Sequence, residues 1–155
     1  MAAEIDTLLT EEGIAWLKQE IDELRDEKLP ELEGIIQASA QDGDLNDNSE
    51  WEASKDEYVQ AQERLEDLEL LLAHAKLPTP DENGAIVIGS RAAVRTAAGE
   101  EFTWVLVNPV ELAVSDDRIS IESPVGQALM GKTTGDSASV TTPEGDVAYT
   151  VVAVN

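Results

Sequence analysis

Between Thr10 and Lys76 the apolar residues recur every three or four positions, and few of the residues between them favour a strand. In the first stretch Ile14, Leu17, Ile21 and Leu24 follow at steps of three, four and three, which places them on one face of a helix. Thr10 precedes the stripe as an N-cap, and Glu11 and Glu12 put acids in the first turn, where the helix dipole favours them. Pro30 lacks an N–H and its ring crowds the carbonyl four residues back, so the helix should loosen or kink there before Leu32, Ile35 and Ile36 resume the stripe. A second helix is predicted from Tyr58, Ala61, Leu65, Leu68, Leu72 and Ala75, whose strict three/four alternation is the seam of a coiled coil. Two helices with one apolar face each, joined by the polar segment Gln41 to Asn48, are expected to pair antiparallel. At 1.5 Å per residue, roughly 30 residues make each arm about 45 Å long, with the joining segment at its far end.

The pattern changes at Leu77-Pro78-Thr79-Pro80-Asp81-Glu82-Asn83-Gly84, where two prolines and an Asn-Gly pair stop the helix. Beyond it, Ala92 to Ala97, Phe102 to Val107, Ser137 to Thr142 and Val147 to Val154 are rich in Val, Thr and aromatics and read as strands separated by turn residues. One short helix interrupts them: Ser123 is its N-cap, Pro124 its first residue, and Gly131 its stop. The expected fold class is α+β. A helical coiled coil over 1–77 is followed by a linker over 78–84 and a small sheet domain with one helix over 85–155.

Composition narrows the chemistry. The chain has no Cys and a single His74, which excludes disulfide frameworks, thiolate nucleophiles and multi-histidine metal centres. Ten Lys+Arg stand against 33 Asp+Glu, a net charge of −23, which opposes any broad grip on a nucleic-acid backbone. The charge is uneven, with 22 acids and 6 bases in residues 1–77 and 11 acids and 4 bases in 78–155. The N-terminus carries no basic, apolar leader and no run approaches the ~18 apolar residues of a membrane span, so a cytoplasmic protein without a membrane partner is expected.

The segment joining the two helices holds the residues most suited to chemistry. Asp42, Asp44 and Asp47 fall within six residues, Gln41-Asp42-Gly43-Asp44-Leu45-Asn46-Asp47-Asn48. Carboxylates this close repel one another and are relieved by a divalent cation, for which hard oxygen ligands suit Mg²⁺ or Ca²⁺. The plainer alternative is that Asp47 or Asn48 caps the second helix and Gly43 closes the first. A calcium loop fits at Asp42, Asp44 and Asn46 but fails afterwards, because Asp47 stands where the turn needs Gly and Ala53 where a bidentate Glu is needed.

The stretch Gly43-Asp44-Leu45-Asn46-Asp47-Asn48-Ser49-Glu50-Trp51 resembles the tip pattern Gly-Asp-Leu-[Lys/Arg]-Glu-Asn-x-Glu-Tyr of the Gre transcript-cleavage factors of bacterial RNA polymerase, most closely those of the GreA type. Ile119 to Lys132 is similar to the Ser-Pro segment of that family, and Thr142-Pro143-Glu144-Gly145-Asp146 to its last hairpin. The resemblance implies an N-terminal antiparallel coiled coil and a C-terminal FKBP-like domain. It further implies a monomer that is not itself an enzyme. Its tip would enter the polymerase's secondary channel, and Asp44 and Asp47, with Asp42 beside them, would help to hold the polymerase's weakly bound second Mg²⁺. The nascent RNA 3′ end would be met only inside that complex. Glu122, Ser123 and Pro124 correspond to the part that docks on the polymerase rim, while locally they read equally well as an ordinary helix start.

Two departures bear on activity. Asp47 replaces the family's tip Glu and is one methylene shorter, and Asn46 replaces its basic residue. A ligand displaced by about 1 Å costs on the order of 100-fold in rate. Homologues of this fold with aspartate-rich tips inhibit polymerase by capturing metal or blocking the channel, which is the alternative function. Trp51 fits either a packing role at the start of its helix or stacking on a base. Ser123 has no neighbouring base and is not a nucleophile.

Overall fold

The computed structural model describes residues 7–41 and 49–155. Its contacts divide the chain into two compact units: one holds 14–75, and the other joins 7–13 to 76–155.

In the helical unit, α1 (Glu11–Glu23) runs into a π-helical turn at Leu24–Lys28 and then α2 (Leu29–Gln41). The π turn precedes Pro30, where the sequence predicted a disturbance. The Leu29 N–H reaches back five residues to Leu24 O instead of four, and the widened turn accommodates a proline that neither donates nor tolerates a close carbonyl. The helix therefore widens locally and goes on. The partner helix α3 (Ser49–Ala73) has 25 residues, about 37 Å at the α-helical rise, and packs against α2. The seam is the predicted one: Leu17, Ile21 and Leu32 are buried on one side and Ala61 and Leu68 on the other, while Tyr58, Leu65 and Leu72 are half-buried. Ser39 and Ser54 are buried as well, so small side chains occupy the seam toward the segment that joins the helices. Lys28 Nζ lies 3.6 Å from Glu57, and Tyr58 donates its hydroxyl to Glu33 at 3.1 Å. That bond raises the pKa of Tyr58, because ionising the phenol would break it beside a carboxylate.

In the second unit, β1 (Thr7–Leu8) precedes α1, and the Leu9 N–H donates to Lys76 O at 2.9 Å in β2 (Ala75–Lys76). The main sheet has five strands in the order β5-β4-β3-β7-β6: β3 (Arg91–Thr96), β4 (Glu101–Val107), β5 (Arg118–Ser120), β6 (Ser137–Thr142) and β7 (Gly145–Val154). All pairs are antiparallel except β4 with β5. The register of β3 on β7 shifts between Ala93 and Val94, leaving Val152 as the extra residue of a bulge. The main apolar cluster lies on one face: Ala92 and Val94, Leu106, Ala138 and Val151 meet Leu129 of α4 (Pro124–Leu129) and Ile86, all essentially without exposure. The segment just after the linker contributes to this core. Ile86 exchanges backbone hydrogen bonds with Lys132 and Gly131, and the Asp81 carboxylate accepts from Asn83 N and Ala85 N to shape the approach. The four strands and the helix read from the sequence are present; β5, of only three residues, is an addition to their sheet, and the two-residue β1 and β2 are additions as well, β2 taking Ala75, which was expected on the helix.

No helix among the described residues is long and apolar enough to cross a membrane.

Candidate functional site

Two segments carry the residues singled out by sequence. Asp42, Asp44 and Asp47 lie outside the described residues. Their flanks are described: α2 ends at Gln41 and α3 begins at Ser49, with Glu50 and Glu52 in its first turn, where the helix dipole favours acids. Trp51 is half-buried and carries Lys55 Nζ 4.0 Å above its ring, a cation–π contact one turn along the helix. Among the described residues no group of three or more His, Asp or Glu is arranged to hold a metal.

The Ser-Pro segment is fully described. Ser123 sits in extended backbone at the N-cap of α4, its Oγ accepting from Gly126 N at 3.0 Å and donating to Ser120 O at 2.7 Å. One hydroxyl thus satisfies an orphan helix donor and ties the helix start to β5. Pro124 takes the first helical position, where its missing N–H costs nothing. Gly126 is obligatory: a Cβ there would stand 2.0 Å from Ser120 O. Pinned in this way, Glu122 and Pro124 are exposed on a rigid turn, with the Glu122 N–H held by Ser120 Oγ at 3.0 Å. The helix-start reading and a docking role are compatible, since capping leaves both outward-facing side chains free of the core.

Sequence reading missed a buried polar cluster in the same unit. Glu111 is 1% exposed. Its carboxylate accepts from Thr10 N at 2.9 Å and from Thr10 Oγ1 at 2.5 Å, while Thr10 Oγ1 accepts from Gly13 N at 3.0 Å. Thr10 is therefore the N-cap of α1, as expected. The acid that completes its capping box comes from 101 residues away, because Gly13 occupies the position where a local Glu would serve. A Cβ at Gly13 would lie 2.1 Å from Glu111 Oε1, so a larger residue there would displace the carboxylate that bonds Thr10. Arg118, whose side chain is 5% exposed, stands 3.5 Å from Glu111 and 3.4 Å from Thr10 Oγ1, so the buried carboxylate has a charged partner. A cavity of about 410 Å³ adjoins the cluster, lined in part by Glu12, Leu77, Arg91, Val105 and Arg118. Near it the Asp117 carboxyl is held below its ordinary value, first by the Ser115 hydroxyl and then by Arg91. Glu111 and Arg118 look like surface charges in a sequence this acidic; the one available signal was the odd Gly13 at the capping position.

Residues 7–77 match the family described as transcription elongation factor, N-terminal, and residues 81–155 match transcription elongation factor, GreA/GreB, C-term. The transcription elongation factor GreA of Syntrophomonas wolfei is 35% identical over 157 residues, covering 99% of each chain. That of Thermotoga sp. (strain RQ2) is 34% identical over 148 residues, covering 94% of this chain and 95% of its own. Among solved structures, GreA factor homolog 1 (Gfh1) of Thermus thermophilus is 32% identical over 97% of this chain and 99% of that one, with a TM-score of 0.45. The chain belongs to the GreA/GreB family of transcription elongation factors.

Proposed function

We propose that this elongation factor acts on RNA polymerase by carrying the acids of residues 42–47 through the secondary channel to the catalytic centre, where it stimulates cleavage of backtracked RNA. The observation that carries this reading is the coincidence of family membership over both halves of the chain with the tip pattern Gly43-Asp44-Leu45-Asn46-Asp47-Asn48 placed between α2 and α3. Asp44 and Asp47 are the side chains that would hold the polymerase's second Mg²⁺, with Asp42 next to them. Hard carboxylate oxygens are the donor set that ion prefers. When bound, the metal supplies Lewis acidity and lowers the pKa of the attacking water. The chain's own contribution would be two carboxylates three residues apart in sequence, one of whose oxygens would accept the water's proton. Glu122, Ser123 and Pro124 serve as the contact with the polymerase rim; the rigid capped turn supports that role, because a preorganised surface loses little entropy on docking.

A stalled-complex assay tests this. Wild type shortens the transcript and Asp44→Ala does not; if both are inert, the reading fails. The shorter Asp47 favours a second reading, inhibition without cleavage, in which nucleotide addition is slowed by wild type and restored when Asp47 or Asp42 is neutralised.

A further inference from the structure

We infer that the pairing of α2 with α3 is gated by ionic strength, the helices closing when salt is high and parting when it is low, while the sheet unit stays folded throughout. Two independent observations carry this. First, the described part of the helical unit, residues 14–41 and 49–75, holds 15 acids against 5 bases, a net charge of −10 on two thin cylinders. Helices in contact lie 8–10 Å apart, inside the ~30 Å screening length of about 0.01 M salt and outside the ~3 Å of about 1 M. Second, the attraction opposing this repulsion is small. On α3 the fully buried positions are Ser54, Ala61 and Leu68, two of them with little apolar surface, and on the described part of α2 they are Leu32 and Ser39, so Leu32 and Leu68 are the large apolar side chains that this pair of helices buries fully among the described residues. The cross-helix ion pair Lys28–Glu57, at 3.6 Å with both side chains about half exposed, is itself weakened by salt and offsets little. Repulsion summed over many acids therefore decides whether the seam closes.

The sheet unit supplies an internal control. It holds a compact three-dimensional core at Val94, Leu106, Leu129 and Val151 and, with 13 acids against 5 bases over its 87 described residues, carries about half the charge per residue of the helical unit, so screening acts more weakly on it while general salting-out strengthens both units alike. The inference concerns the free protein and does not depend on the polymerase reading. Where that reading holds, the same gate sets how many molecules have α2 and α3 paired.

Amide hydrogen exchange on the full chain, read segment by segment, tests it. Between about 0.01 M and about 1 M KCl, protection over residues 52–73 should rise about tenfold or more, while protection over Arg91–Thr96 and Gly145–Val154 changes less than about threefold. Equal rises in both units, or a flat response over 52–73, overturn the inference. Choline chloride at matched ionic strength should act as KCl does; a gain peculiar to potassium overturns screening in favour of bound cations. The triple variant Glu63→Gln, Glu66→Gln, Glu69→Gln, at exposed positions away from the seam, should raise protection at low salt and flatten the response. An unchanged response in that variant also overturns the inference.

Discussion

The two units bury their apolar residues in different geometries. Over 55 described residues the helical unit fully buries Leu17, Ile21, Leu32, Ala61 and Leu68, one line along one seam. In the sheet unit Val105, Leu106 and Val107 are buried consecutively, so this part of β4 is covered on both faces. A line of contacts lets each residue support its immediate neighbours alone, whereas a layered core couples every strand to the helix above it. The proposed docking turn, Glu122 to Pro124, belongs to the unit with the layered core. The difference separates a seam that few large side chains hold from a core in which each element is braced by several others.

Substitutions that strike one unit and spare the other sharpen this comparison. The largest effect is expected for Glu111→Ala, which removes the acceptor for Thr10 and leaves buried Arg118 with the exposed Glu12 carboxylate, 3.8 Å away, in place of its buried partner. Loss of about 3–5 kcal/mol is expected by denaturant titration, and a loss below about 1 kcal/mol would show the cluster to be ornamental. Next, Leu106→Ala in the sheet should cost about 3–5 kcal/mol, and Leu68→Ala in the seam nearer about 2 kcal/mol, although both side chains are about equally buried. A two-helix seam closes over a cavity more readily than a layered core does, and equal costs would break the comparison. Ser123→Ala should cost about 1 kcal/mol through its lost cap. Weakened polymerase binding beyond what that destabilisation explains would sharpen the docking assignment.

The smallest effects are those of pH, and the two units respond at opposite ends of the scale. The Asp136 carboxyl accepts from Thr133 N and Thr133 Oγ1 and is held below its ordinary value of 3.8 by those bonds. Its contribution is present at neutral pH and is lost as pH falls from about 3.8 through the lower folded value, so Asp136→Asn should flatten the acid limb of the sheet unit's stability curve. Tyr58, raised above 10.0 first by its bond to Glu33, contributes below pH 10.0 and loses that contribution as pH rises through the higher folded value. Tyr58→Phe should therefore flatten the alkaline limb of the helical unit. Exchange measured at both pH extremes separates the two responses, and identical limbs in variants and wild type would remove both assignments.

Much of this architecture was legible because it rests on periodicity. The α3 seam from Tyr58 to Leu72, the strand at Ser137–Thr142 and the capped helix at Ser123-Pro124 each follow a local rule that can be read, whereas Ala75, read as the last seam position, lies beyond the helix in β2. What escaped depends on partners distant in sequence or on segments too short to show a period. Arg118–Ser120 has three residues and is recruited by β4, and Glu111 is buried because Thr10 arrives from the other end of the chain. At Pro30 the site of disturbance was legible but its form, a π turn ahead of the proline, was not. For the candidate site, the signal in the sequence is the crowding of Asp42, Asp44 and Asp47, which lie outside the described residues; spacing alone leaves capping and metal binding open.

The most direct measurement of the central claim is the rate of transcript cleavage in stalled polymerase complexes as a function of Mg²⁺ concentration, for wild type and for Asp47→Asn. If the tip acids hold the second metal, the variant should need about tenfold or more Mg²⁺ for half-maximal cleavage, because a neutral amide is the weaker ligand. Superimposable Mg²⁺ curves for the two proteins would contradict the account.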